Sequence, residues 1–138
     1  MKFAALMGSA ALVGTASLGM AQELKEIDRP ASELEEVLAH DTELPGGAKR
    51  IRVVRVEMEP NTVAAWHTHP SPVYVYVVEG ELAMEVEGQE NKTIGAGEAV
   101  AEPVDARMRV LNTTDQPARV VVFQISPTEE RFLQQENK

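Results

Sequence analysis

Residues 73–86 decide how this chain folds: Val73-Tyr74-Val75-Tyr76-Val77-Val78-Glu79-Gly80, followed by Glu81-Leu82-Ala83-Met84-Glu85-Val86. The first six are β-branched or aromatic without interruption, which suits a central strand. Glu79-Gly80 turns the chain. Beyond it Leu82, Met84 and Val86 alternate with Ala83, Glu85 and Glu87, and a period of two places the apolar three on one buried face. Two adjacent strands joined by a tight turn, one face apolar, are the start of a β-sandwich or small barrel.

The same rhythm continues outward on both sides. Downstream, Gly88-Gln89-Glu90-Asn91 and Gly95-Ala96-Gly97 read as turns, residues 99–101 as a short strand and residues 119–125 as a strong one. Met108 and Val110 alternate with Arg107 and Arg109, so Met108 is expected to point inward. Upstream, Val54, Val56 and Met58 alternate with charged residues, while Ile51 and Val53 are out of phase, which suggests a bend near Val53-Val54. Before the first strand, Ser32 and Glu35 form a capping-box pair, and Leu34, Val37 and Leu38 share a helical face, so a short helix is expected over residues 32–39. Residues 41–47 read as loop. The expected organisation is an N-terminal helix and loop over residues 22–48, a barrel over 49–126 and a polar tail over 127–138.

Residues 1–21 stand apart. One positive charge at Lys2, a run of small residues and Leu, and Gly19-Met20-Ala21 at the end have the form of a secretion signal cut after Ala21. The expected location is therefore secreted and, in a host with a periplasm, periplasmic.

Composition narrows the chemistry. The chain has 138 residues, 43% hydrophobic and 25% charged, which suits one globular domain. Its net charge of −9 disfavours nucleic acid as a partner. With no cysteine there is no disulfide, thiol nucleophile, iron–sulfur cluster or Cys-type zinc site. Neither a GxSxG elbow, a phosphate-binding glycine loop nor an HExxH helix is present.

Two motifs remain. Asn61, five residues, His67-Thr68-His69, three residues, Val73, six residues and Gly80 form the first; Gly97, five residues, Pro103, Asp105, Met108 and Asn112 form the second. Their spacing resembles the cupin superfamily, whose jelly-roll β-barrels carry a Gly, His-x-His, Glu, Gly motif and a Gly, Pro-x-Gly, His, Asn motif. The resemblance implies an all-β small jelly-roll barrel. It also implies that His67 and His69 face the barrel interior, and that barrels often pair as homodimers. In metal-dependent cupins the two histidines, the Glu and the second-motif His hold one ion. Here Val73 stands at the Glu position and Met108 at the His position.

Three functional readings follow. In the first, His67, His69 and Met108 bind a soft metal ion, copper above all, without catalysis, since thioether sulfur favours Cu(I). The second is a metal-free barrel that binds a small organic molecule, with Val73, Met84 and Met58 as pocket wall and the histidines as polar anchors. The third is an isomerase- or oxygenase-like enzyme with a two-His metal site. Other residues are read as bystanders. Glu102, before the turn that leads to Met108, has a place near the barrel mouth open to it but reads first as a solvated loop carboxylate, Trp66 as packing on the side away from the histidines, and His40 as a solvated helix end. Tyr74 and Tyr76 are expected to face away from the pocket.

Overall fold

A computed structural model describes residues 23–27 and 34–136. The described residues are all-β, in two sheets. The first sheet is seven-stranded. It contains β1 (Lys25–Ile27), β4 (Thr62–Ala64), β5 (His67–Thr68), β7 (Glu81–Val86), β8 (Lys92–Gly95), β10 (Met108–Asn112) and β12 (Gln134–Gln135). Strand β10 is its axis, with β7 on one side and β4 and β5 end to end on the other. The second sheet is five-stranded, in the order β2 (Glu35–Leu44), β3 (Gly47–Met58), β11 (Ala118–Pro127), β6 (Val73–Glu79) and β9 (Ala99–Glu102).

The core lies between these sheets. Val73, Val75 and Val77 are buried on β6, whereas Tyr74 and Tyr76 are each 48% exposed on its other face. Leu82, Met84 and Val86 on β7 close over them, and Val54, Met58, Val120 and Val122 complete the apolar layer. At ~25 cal/mol per Å² of apolar surface removed from water, this cluster is the main source of stability.

Gly80, between β6 and β7, has φ +80°, and a Cβ there would stand 2.7 Å from the carbonyl oxygen of Pro117. Only glycine fits both the conformation and the space. Asn61 and Asp105, at motif positions where the cupin pattern has glycine, also have positive φ (55° and 54°). Both are residue types that tolerate the left-handed region.

Three expectations change. The segment expected as a helix over 32–39 is strand from Glu35 onward; Ser32 lies outside the described residues. Strand β2 pairs along β3 from Glu35↔Arg55 to Leu44↔Gly47, and Pro45-Gly46 makes the hairpin turn within what was read as loop. An eight-residue helix is marginal in water, whereas β3 offers β2 a partner for its backbone groups along its whole length. The irregularity near Val53-Val54 belongs to β2: the register shifts between Glu36 and Leu38, opposite those valines. Strand β3 runs without a shift against β11, and its Ile51 and Val53 sit half-buried on the outer face. The polar tail is tied to the barrel through its described residues, which run to 136. Strand β12 pairs with β5, and Phe132 packs against the core. The expected signal over residues 1–21 lies outside the described residues.

Candidate metal centre

His67 opens β5, and His69 follows two residues later on the same side of the chain. Their rings meet edge to face with centroids 5.0 Å apart. Each ring is held by a backbone carbonyl. His67 Nδ1 lies 2.9 Å from the oxygen of Ala65, and His69 Nδ1 lies 2.8 Å from that of Phe132. A carbonyl oxygen only accepts, so both Nδ1 atoms carry the proton and both Nε2 lone pairs are left for the site. Histidine ligands are oriented in this way at metal centres.

The third group is Glu102. It ends β9 and is buried at 7% exposure. Its Oε2 lies 3.0 Å from His69 Nε2. One donor atom from each of His67, His69 and Glu102 lies within 4.8 Å of the others. The edge of an octahedron with metal–ligand bonds of ~2.1 Å is ~3.0 Å, so the His69–Glu102 edge already has the length an ion requires.

The protonation states follow from the surroundings. Burial, the largest influence on His69, lowers its pKa. The hydrogen bond to Glu102, the charge of Glu102 and the Phe132 carbonyl outweigh burial, and the pKa is raised. His67 lacks a carboxylate at hydrogen-bond distance; burial dominates and its pKa is lowered. Since His69 Nδ1 is already a donor, a hydrogen bond from Nε2 to Glu102 requires the imidazolium. His69 and Glu102 are among the residues that would hold a divalent ion, and such an ion would take the place of that proton.

The site opens into a cavity of about 120 Å³. Val56, Met58, Val75, Leu82, Val110, Val120 and Val122 line it from the barrel, Ile27 and Leu34 from the N-terminal side, and Phe132 and Leu133 from the C-terminal segment. Polar groups on its wall are His67, His69, Glu102 and Gln135.

The sequence-based candidates are distributed unevenly. His67, His69 and Met58 are on the cavity wall. Met108 is fully buried, and its backbone is paired directly with His67 on one side and Val86 on the other. Met108, Val73 and Met84 belong to the packed core and are not on the cavity wall, because the facing side chains of β6, β7 and β10 fill the space around them. Glu102, read as a solvated carboxylate, is the correction. The signal was present: Val100 is buried on β9, and the same period of two carries Glu102 inward. The strand is one residue longer than the expected 99–101, and that residue carries the carboxylate beside His69. Trp66 does lie away from the histidines. The guanidinium groups of Arg107 and Arg109 sit 4.2 and 4.5 Å from its ring, and both arginines are paired with glutamates on β7 or just after it, Arg107 with Glu87 and Arg109 with Glu85. His40 is exposed on β2.

Comparison with known proteins agrees with this geometry. The family model for the cupin domain matches residues 54–124. The chain belongs to the cupin family. Among characterised relatives, the polyketide synthase protein CurC of Streptomyces cyaneus is 39% identical over 71 residues, covering 51% of this chain and 45% of CurC. The tetracenomycin polyketide synthase protein TcmJ of Streptomyces glaucescens is 40% identical over 73 residues, covering 52% of this chain and 48% of TcmJ. The match thus spans about half the length of these relatives. Of solved structures, the polyketide cyclase RemF of Streptomyces resistomycificus superposes with a TM-score of 0.56 at 22% identity, over 76% of this chain and 80% of RemF.

Proposed function

We propose that this cupin holds one divalent transition-metal ion through His67, His69 and Glu102 and presents it to a small, largely apolar organic ligand in the cavity. The observation that carries this reading is the pair of backbone carbonyls that fix both imidazoles beside one buried carboxylate, with His69 Nε2 3.0 Å from Glu102 and a donor atom of all three residues within 4.8 Å of the others. Two histidines and one carboxylate are a donor set for ions such as Fe(II) that keep open coordination positions. Such an ion, when bound, acts as a Lewis acid toward oxygen atoms of the ligand. The protein's own contribution is to orient the donors, to exclude water with an apolar wall, and to exchange the proton shared by His69 and Glu102 for the ion.

This reading revises the expected copper site. That reading assumed no charged ligand, and Glu102 supplies one. A copper site nevertheless remains a second reading, because Met108 sits in register directly opposite His67, where paired Cβ atoms lie ~5 Å apart. The polyketide proteins among its relatives make a largely apolar ligand with a keto or enol oxygen the class to try first.

The deciding experiment is metal uptake by purified, tag-free protein, read by elemental mass spectrometry and by titration with Mn(II), Fe(II), Co(II), Ni(II), Zn(II) and Cu(I). Near-stoichiometric uptake of a divalent ion that is lost in Glu102→Gln supports the proposal. Selective Cu(I) uptake that survives Glu102→Gln and disappears in Met108→Leu transfers the assignment to copper. No uptake of any ion leaves the cavity as a metal-free binding pocket. We propose in addition that the segment at residues 1–21 directs export and that two barrels pair. Cell fractionation and light scattering test them.

A further inference from the structure

Behind the site runs a chain of buried polar groups that the metal reading does not use. Gln124 on β11 is fully buried, and across the ladder it faces Arg52 on β3, which is also buried. Arg52 donates through Nη1 to Gln124 Oε1 at 3.0 Å and to Ser126 Oγ at 2.9 Å, and through Nη2 to the carbonyl oxygen of Glu130 at 3.1 Å. A guanidinium only donates, so the amide of Gln124 must turn its oxygen to Arg52 and its NH2 the other way. There Nε2 donates to the Phe132 carbonyl at 2.9 Å, the same carbonyl that accepts His69 Nδ1–H at 2.8 Å.

A buried cation is expensive unless it is paired. The ion pair of Arg52 is a weak one, with Glu36 Oε2 3.7 Å from Nε and its side chain 48% exposed. Arg52 instead directs its short hydrogen bonds at Gln124, Ser126 and the backbone of the C-terminal segment.

We propose that Gln124, oriented by Arg52, is a positioning residue for His69. It holds the Phe132 carbonyl where that oxygen fixes the Nδ1–H tautomer of His69, so that Nε2 stays directed at Glu102 and at an ion between them. The effect on an ion rests on the metal reading above; the effect on the tautomer does not. A clamp that only ties the segment after Pro127 to the barrel would change stability and leave the imidazole alone.

The test uses the full chain as wild type, Gln124→Met and Leu111→Ala. Leu111 is buried on β10 and is not on the cavity wall, so its truncation serves as a control for lost stability. Nitrogen NMR of metal-free protein labelled at histidine, recorded at a pH high enough that the His69 imidazole is neutral, reads the tautomers, and Co(II) titration with its visible spectrum reads the site. In Gln124→Met the single Nδ1–H form of His69 is expected to give way to a mixture, with His67 unchanged. Co(II) binding is expected to weaken by roughly 10- to 100-fold, the usual loss when an outer partner of a ligand is removed. Leu111→Ala lowers thermal stability and moves neither. Folded Gln124→Met with the His69 tautomer and Co(II) affinity of wild type overturns the inference. If Gln124→Met does not fold, Arg52→Lys makes the same measurement: a partial tautomer mixture supports positioning, and an unchanged tautomer overturns it. If wild type takes up no Co(II) yet Gln124→Met loses the tautomer, the metal reading fails and the positioning role stands.

Discussion

Val73 and Glu102 face each other directly across the ladder between β6 and β9. Directly paired residues share a face, with Cβ atoms ~5 Å apart. The carboxylate that the first motif lacks at Val73 is therefore supplied from the neighbouring strand, beside the position it left. An exchange of the two residues should then preserve the donor set. Glu102→Val alone is expected to lower divalent-ion affinity by at least about 100-fold. Val73→Glu in that background is expected to return it to within about 10-fold of wild type, measured by Co(II) titration. If the double variant binds no better than Glu102→Val, the two positions are not equivalent.

Met108 separates the two metal readings. It is fully buried in the core, and leucine preserves most of its volume. Met108→Leu should cost less than ~1.5 kcal/mol of stability and change divalent-ion affinity by no more than about 3-fold. A large loss confined to Cu(I) would move the site toward sulfur ligation.

The two histidines should titrate on opposite sides of their ordinary value of 6.5 in metal-free protein. Burial lowers His67 below it; for His69 burial also acts downward, but Glu102 outweighs it and raises the pKa. For His69 the stability contribution is complete below 6.5 and is lost as pH rises through the folded-state value. For His67 it is complete above 6.5 and is lost as pH falls through the folded-state value. NMR titration of the two rings gives the order directly. His67 titrating above His69 would contradict the carboxylate contact.

Gly80→Ala is the test of the barrel frame. The left-handed backbone costs a non-glycine residue ~1–3 kcal/mol. The added Cβ would meet backbone at 2.7 and 2.9 Å. A loss of about 3 kcal/mol in urea unfolding is expected, with the β6–β7 turn as its origin. A loss under about 0.5 kcal/mol would show that the turn relaxes freely.

Much of this architecture was legible because period-two alternation is local. Leu82, Met84 and Val86 declare their buried face from neighbours alone, and so do Val73, Val75 and Val77. The histidines were legible for the same reason, helped by motif spacing. Residues 35–44 were not, since Leu34, Val37 and Leu38 also fit a helical stripe. What decides against the helix is the offered edge of β3, a partner that no local pattern contains. Glu102 was hidden by its charge: as an isolated residue a glutamate belongs in solvent, and only the phase set by Val100 and the approach of His69 make burial acceptable. The C-terminal segment was hidden by its polar composition; its hold on His69 is a backbone carbonyl, which carries no signature in the sequence, and only Phe132 and Leu133 hinted at the wall it also supplies.

His67 and His69 come from the seven-stranded sheet and the chain just beyond it, and Glu102 from the five-stranded one. An ion held among them would therefore act as a rivet between the two layers. Occupancy and mechanical stiffness become one property. Loading the site would resist any sliding of one sheet over the other, and a force that parts the sheets would loosen the ion before it broke either hydrogen-bonded ladder.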